Sequence, residues 1–199
     1  MSFPRHELEE MVRRWAEAGR LAERSGDWAG ALAPFYAPDA QVRVHVGADR
    51  VYVGRGRQAI AQQMLGEDME GFEGWTYPHE RVVIDEARGE VVVYWRQVSP
   101  YRRGDGTPYA VAGLGNSYLR YAGEYQWSYQ EDSFDLGQVT ALLLELAAEG
   151  HLSPSLKRRI QRMARGHRAG GYETAPHAMS KLAKARGYLA MTRIALLGR

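Results

Sequence analysis

The hydrophobic period of this chain first changes near Pro38-Asp39, and that change limits the fold more than any other feature. Before it, Leu8, Met11, Val12, Trp15, Ala18 and Ala22 recur at spacings of three and four with charges between them. That is the pattern of an amphipathic helix over residues 7–24. Ser25-Gly26 ends it. Asp27 can cap a shorter helix carrying Trp28, Leu32 and Phe35, which Pro34 and Pro38-Asp39 close. After it, Val42, Val44 and Val46 alternate with Gln41, Arg43 and His45, the period-two signature of a strand.

The strands that follow come as hairpins. Residues 82–85 and 91–98 flank Glu86-Ala87-Arg88-Gly89, and residues 109–121 and 125–134 flank Ala122-Gly123-Glu124. Consecutive hairpins predict an antiparallel meander. A helix is expected from Gly54-Arg55-Gly56 to about residue 69, followed by a loop at 71–78. Asp135-Leu136-Gly137-Gln138 reads as a capping box opening a helix to residue 149, with Val139, Leu142, Leu143 and Leu146. A basic helix over 155–165, a loop over 166–176 and a helix over 180–197 complete the chain. The expected class is α+β: a cone-shaped curved antiparallel sheet wrapped around N-terminal helices, with extra C-terminal helices. On the last strand, Tyr125, Trp127 and Tyr129 are expected on one face, and Gln130, Asp132 and Phe134 on the other. A sheet with bulky residues on both faces needs a second cover, which predicts a homodimer through the sheet.

Charge divides the chain elsewhere, near Gly150. Residues 1–150 hold 15 Arg, no Lys and 23 acids, a net of −8. Residues 151–199 hold 8 Arg, 3 Lys and one acid, Glu173, a net of +10. A cone domain over 1–150 and a basic helical extension over 151–199 are the expected units. The extension's segment Lys157–Arg165 is read first as a helix lying on its own acidic body, with Leu156, Ile160 and Met163 packed inward. Nucleic acid is not an expected partner, because aromatic side chains for base stacking are not interleaved there. The chain has no cysteine, which removes disulfides, thiolate metal sites and cysteine nucleophiles. His79-Glu80 lacks the second histidine of a zinc-protease helix, so no metal is expected. No apolar run approaches the roughly 18 residues of a membrane span. The N-terminus turns acidic at Glu7 where a signal peptide would turn apolar, so a cytoplasmic location is expected.

Several short motifs, in order and at consistent spacing, carry a resemblance. They are Ser25-Gly26-Asp27-Trp28 followed by Phe35-Tyr36-Ala37-Pro38-Asp39-Ala40, then Gly56-Arg57-Gln58-Ala59-Ile60, Leu119-Arg120-Tyr121-Ala122-Gly123 and Asp132-Ser133-Phe134-Asp135. Over residues 7–149 the chain resembles the nuclear transport factor-like superfamily, the cone fold of ketosteroid isomerase, limonene epoxide hydrolase and SnoaL-like polyketide cyclases. The resemblance implies a pocket inside the cone but does not choose a reaction. The isomerase-like members' strand-one base falls at Val44, their oxyanion-hole acid near Ser117, and their helix-one tyrosine near Trp15 and Gly19. That constellation is absent. Of the epoxide hydrolase-like set, Asp132 matches the final aspartate. The arginine and first aspartate fall near Trp95 and Gln97, and the tyrosine and asparagine near Val44 and Val46.

Asp132 is therefore the candidate catalytic residue, late in a strand among aromatics that would raise its pKa. Val44, Val46, Trp95, Gln97, Ser117, Leu119 and Phe134 are the candidate ligand-binding residues. Trp95 would stack on a flat ligand, and Gln97, Ser117 or a tyrosine would polarise an oxygen. The expected function is binding of a lipophilic, ring-containing molecule, steroid- or polyketide-like. The chemistry would be that of an isomerase, cyclase, dehydratase or hydrolase working by acid/base catalysis without a cofactor. The alternative is a non-catalytic ligand-binding or dimerisation module whose basic tail contacts a partner protein.

Overall fold

A computed structural model describes residues 3–47, 49–165, 170–176 and 178–197. Helix α1 (Arg5–Ser25) buries Leu8, Met11, Val12, Trp15 and Ala22 and ends at Gly26 in the left-handed region. Helix α2 (Trp28–Leu32) starts where the Asp27 side chain accepts a hydrogen bond from the Gly30 amide at 2.7 Å. Strand β1 (Tyr36–Val46) follows, then β2 (Arg50–Arg55). Only Arg57–Ala59 (α3) of the next helix is regular; it continues as a π turn over Ile60–Met64 and a 3₁₀ turn at Glu67–Met69.

The main sheet continues with β3 (His79–Asp85) and β4 (Glu90–Trp95). Strands β5 (Val98–Arg102) and β6 (Pro108–Ala110) form a separate two-stranded sheet. The expected long strand 109–121 is thus broken, and its second part is β7 (Gly115–Gly123), followed by β8 (Gln126–Ser133). Glu124 and Tyr125 both take positive φ in the turn between them, as a tight hairpin requires. Helices α4 (Leu136–Ala148), α5 (Pro154–Ala164) and α6 (Lys181–Leu197) follow, with strand β9 (Tyr172–Thr174) between the last two.

The order in the main sheet is β3-β4-β7-β8-β1-β2-β9. All pairs are antiparallel except β1 with β8, which run parallel. The meander expected from the hairpins is thus closed by a parallel pair that no hairpin could announce. The C-terminal extension adds β9 to the sheet edge, pairing Tyr172 with Tyr52, where the sequence reading had a loop.

A register shift in β7–β8 changes the expected facing of β8. Arg120 pairs with Tyr129, but Tyr121 pairs with Trp127, so Ser128 is an extra residue on β8. Trp127 therefore turns inward, fully buried, against Trp15 and Tyr121 at ring distances of 6.0 Å each. Tyr129 remains on the outer face and Gln130 and Asp132 on the inner one. The expected grouping of Trp127 with Tyr125 and Tyr129 is corrected by this bulge.

Asp135 caps α4 by accepting from the Gly137 and Gln138 amides at 2.8 and 3.1 Å. The capping box is not reciprocal. The Gln138 carbonyl oxygen accepts from the Gly113 amide at 2.5 Å and ties α4 to the loop before β7.

Candidate active site in the cone

The concave face of the sheet, α1 and the C-terminal helices line a half-open cavity of about 720 Å³. Its wall includes Val44, Val46, Trp95, Gln97, Ser117, Asp132 and Phe134, which the topology gathers from β1, the end of β4, β7 and β8. Leu119 does not belong to it. Paired with Val91 and Gln130, it is fully buried in the core, although its partner Gln130 reaches the cavity wall. Trp15 and Gly19, the positions that replace the isomerase-like tyrosine, also line the wall.

Asp132 stands at the centre of a hydrogen-bonded chain. The Gln130 amide nitrogen donates to both its carboxylate oxygens, at 2.9 and 2.8 Å. The Gln130 carbonyl oxygen accepts from the Tyr36 hydroxyl at 2.5 Å. On the other side, the Ser117 hydroxyl, opposite Asp132 on β7, donates to the carboxylate and accepts from the Trp95 indole at 2.9 Å. Gln130 and Ser117 are buried, so each is fixed by what it bonds. Burial of the carboxyl pushes the Asp132 pKa up to about 6. The hydrogen bonds from Ser117 and Gln130 pull against that rise, and the charge of nearby Glu131 adds to it. Burial also holds the Tyr36 hydroxyl well above its ordinary pKa, and the Asp132 charge reinforces this, so Tyr36 stays a donor.

Aromatic packing fixes the rest of the wall. The Trp95 ring lies over Gly115, where a Cβ would come within 2.3 Å of it, so a side chain at 115 would expel the indole. Trp95 also meets Tyr77 and Phe134, at ring distances of 5.9 and 6.3 Å. The Gln97 amide donates to the Tyr77 hydroxyl at 3.4 Å. Burial raises the Tyr77 pKa, which leaves its hydroxyl proton available as a donor.

A second polar group lies on the same wall and was not singled out from the sequence. Glu23 accepts from the Tyr77 amide at 2.6 Å, and burial raises its pKa against the opposing pull of that hydrogen bond and of Arg20 and Arg24. His79 packs on Trp15 at 5.5 Å, and burial, with the Arg20 charge, lowers its pKa and keeps it neutral. Helical spacing from Gly19 could have pointed to Glu23, four residues on, but nothing in the sequence brings His79 to α1. By contrast, His45 points away from the cavity and meets Glu131 at 2.7 Å on the outer face.

The extension completes the wall with Leu156, Arg159, Ile160 and Met163 of α5 and with Tyr172. Of the three residues expected to pack inward, Leu156 is buried, while Ile160 and Met163 stay 41% and 61% exposed. Among the described residues no group of three His, Asp or Glu is placed to hold a metal ion, and no helix is long and apolar enough to cross a membrane.

No protein-family model matches the sequence, and no curated protein matches it significantly. Solved structures do share the fold. A protein assigned as a SnoaL-like polyketide cyclase from Jannaschia sp. CCS1 has a TM-score of 0.52 at 18% identity, covering 69% of this chain and 91% of its own. A protein of ketosteroid isomerase-like fold from Catenulispora acidiphila DSM 44928, solved in complex with trimethylamine, has a TM-score of 0.51 at 21% identity, covering 67% and 91%. PrhC from Penicillium brasilianum NBRC 6234 has a TM-score of 0.52 at 13% identity, covering 77% and 96%. At these identities the likeness establishes the fold, the α+β nuclear transport factor-like cone expected from the motifs.

Proposed function

We propose that the cone binds a lipophilic, ring-containing carbonyl compound and moves a proton on it by acid/base catalysis, with Asp132 as the acid/base. The observation that carries this reading is the Asp132 cluster: a carboxyl with a pKa of about 6, oriented by Gln130 and Ser117, in the wall of a cavity that also presents Val44, Val46, Trp95 and Phe134. A group titrating near neutral pH can both take and return a proton. Deprotonated, Asp132 would remove a proton beside a carbonyl. Tyr77, with Gln97 holding its hydroxyl, would donate to the oxygen on which charge develops. Such a proton transfer needs no redox cofactor.

Deuterium exchange tests this directly. The α-protons of 2-tetralone, followed by NMR in D₂O, should exchange faster with the protein than without it, with a rate that rises through an inflection near pH 6. Asp132→Asn should abolish both the acceleration and the inflection. An unchanged rate in that variant ends the assignment.

Two finer readings accompany it. The outer sheet face carries Tyr118, Tyr129, Arg120 and His45, with Arg120 at 4.8 Å over the Tyr129 ring. Exposed Tyr and Arg mark interfaces, and a homodimer through this face is part of the proposal, to be checked by sedimentation velocity. The alternative, a module whose basic tail recruits a partner, is opposed by the tail's own pairings. Arg159, Arg162 and Lys184 are engaged by Asp68, Glu70 and Asp49 of the same chain.

A further inference from the structure

The face that α5 turns to the cavity is apolar and only partly covered by its own chain. Leu156, Arg159, Ile160 and Met163 follow each other at i, i+3, i+4 and i+7, one side of a helix. Leu156 packs against Gly71, where a Cβ would come within 2.6 Å of its Cα, and φ there is +97°. The remaining attachments of α5 are polar. The Ser155 hydroxyl donates to Glu73 at 2.8 Å, Arg159 donates to the Asp68 backbone carbonyl and carboxylate, and Arg162 pairs with Glu70. These bonds hold the helix by its start and flank. They leave Ile160 and Met163 facing the cavity, with Leu136, Val139 and Leu143 of α4 on the same wall.

Water-facing isoleucine and methionine on a cavity wall are a place for apolar ligand surface. The cavity is continuous from these side chains to Asp132. We infer that α5 is the specificity wall of the site. Ile160 and Met163 seat the apolar end of an elongated amphiphile whose single hydrogen-bonding end, a carbonyl or hydroxyl, reaches the Asp132 cluster. The inference rests on the proposed reading only in placing that polar end. A compact ring ketone would leave the α5 face wet, whereas a longer apolar body would dehydrate it. The site therefore selects for ligand length through residues that lie outside the cone itself.

A homologous series of 2-alkanones, from 2-hexanone to 2-dodecanone, tests this with the full-length protein by titration calorimetry. Affinity should rise about fourfold per added methylene over the lengths that reach α5, the factor expected for burying one methylene. The double variant Ile160→Asn/Met163→Asn, both positions being exposed, should keep the wild-type melting temperature. It should bind 2-hexanone within twofold of wild type and lose at least tenfold on 2-dodecanone. Equal binding of every ketone by wild type and variant overturns the inference, and so does an equal loss at every length. A change from dimer to monomer in sedimentation with long-ketone affinity intact also overturns it, because the face would then be a contact between copies. Asp132→Asn separates the two claims. If it still exchanges tetralone protons while the length dependence persists, the acid/base reading fails and the α5 wall stands. If exchange is lost and no length dependence exists, the opposite holds.

Discussion

The cone and the C-terminal extension are held by different forces. In the cone, Leu8, Met11, Val42, Val91, Val93, Leu119 and Trp127 are essentially fully buried, drawn from α1 and from strands far apart in sequence. In the extension, from residue 154 onward, Leu156 is the one buried side chain among the described residues. Besides Leu156 and the β9–β2 pairing, what fastens the extension is charge. Its cations meet the acids of the cone in Arg159–Asp68, Arg162–Glu70 and Lys184–Asp49, and its own Glu173 meets Arg55 at 2.7 Å. Burial of apolar area is insensitive to salt, whereas pairs at the surface are screened by it. Added salt should therefore loosen the extension before the cone, although both line the same cavity.

The largest effect should come from breaking the cone. Trp127→Ala removes the side chain that joins α1 to the bulge in β8, and core tryptophan deletions cost about 3–5 kcal/mol. The expected result is a cooperative loss of the whole fold at a much lower denaturant midpoint, with the extension lost in the same transition because nothing remains for it to dock on. Separate transitions for cone and extension in this variant would show that the extension folds without it.

Asp132→Asn should act in the opposite direction on stability. The Asp132 pKa is raised from its ordinary value of 3.8 to about 6, so the folded state binds this proton more tightly than the unfolded chain. Stability from this group is then greatest below the unfolded pKa and falls as pH rises between about 4 and 6. Well above pH 6 the buried charge costs roughly 3 kcal/mol. The asparagine variant should be more stable than wild type at pH 8 by about that amount and should lack the decline between pH 4 and 6. Chemical denaturation across that range measures it, and a parallel pair of pH curves would remove the buried-charge argument.

What was legible in the sequence divides along physical lines. Val42, Val44 and Val46 alternate without interruption, so their strand and facing could be read, and Asp132 could be placed on the inner face by the same rule. Trp127 could not, because one extra residue at Ser128 inverts the parity, and a bulge leaves no mark in a period-two pattern. Leu119 is on the expected strand but buried in the core, since alternation gives a side of the sheet and not which inward side chains reach the cavity. Gln130 and Tyr36 complete the Asp132 cluster from positions 94 residues apart, joined by a hydrogen bond and a parallel pairing that local pattern does not encode. The charge step near Gly150 announced that the extension would lie on the acidic body. It did not announce β9, whose three residues are a strand only because β2 offers an edge.

Within the extension, Arg159→Ala should have the larger of two small effects. Arg159 and Asp68 are both about four-fifths buried, and burial already raises the Asp68 pKa, against the pull of Arg159 and of the Tyr172 hydroxyl. Without the arginine, that carboxylate is left with Tyr172 alone. The cost should be about 2 kcal/mol, below the 3–5 of a fully buried broken pair. It should be greater at pH 8 than at pH 5, where Asp68 can take up a proton instead. Hydrogen exchange should read this as faster exchange in 154–164 and 172–174 with the cone amides unchanged. Acceleration spread evenly over α1 and β7 would contradict the division between the two regions.

Arg162→Ala should mark the lower end of the scale. Arg162 and Glu70 pair at the surface, with 44% and 31% of their side chains exposed, and such pairs contribute about 0.2–1 kcal/mol. Its loss should leave the melting temperature unchanged and raise exchange only in the last turn of α5. The informative comparison is with salt. In wild type, going from 0.05 to 1 M sodium chloride shortens the Debye length to about 3 Å and should speed exchange in α5 by more than the Arg162 substitution does, because it weakens the exposed pairs together. In Arg159→Ala the same salt step should keep most of its effect, since the four-fifths-buried Arg159–Asp68 pair is screened far less than the exposed ones. If salt leaves α5 exchange untouched in wild type, charge is not what holds the extension, and Leu156 on Gly71 must carry the attachment instead.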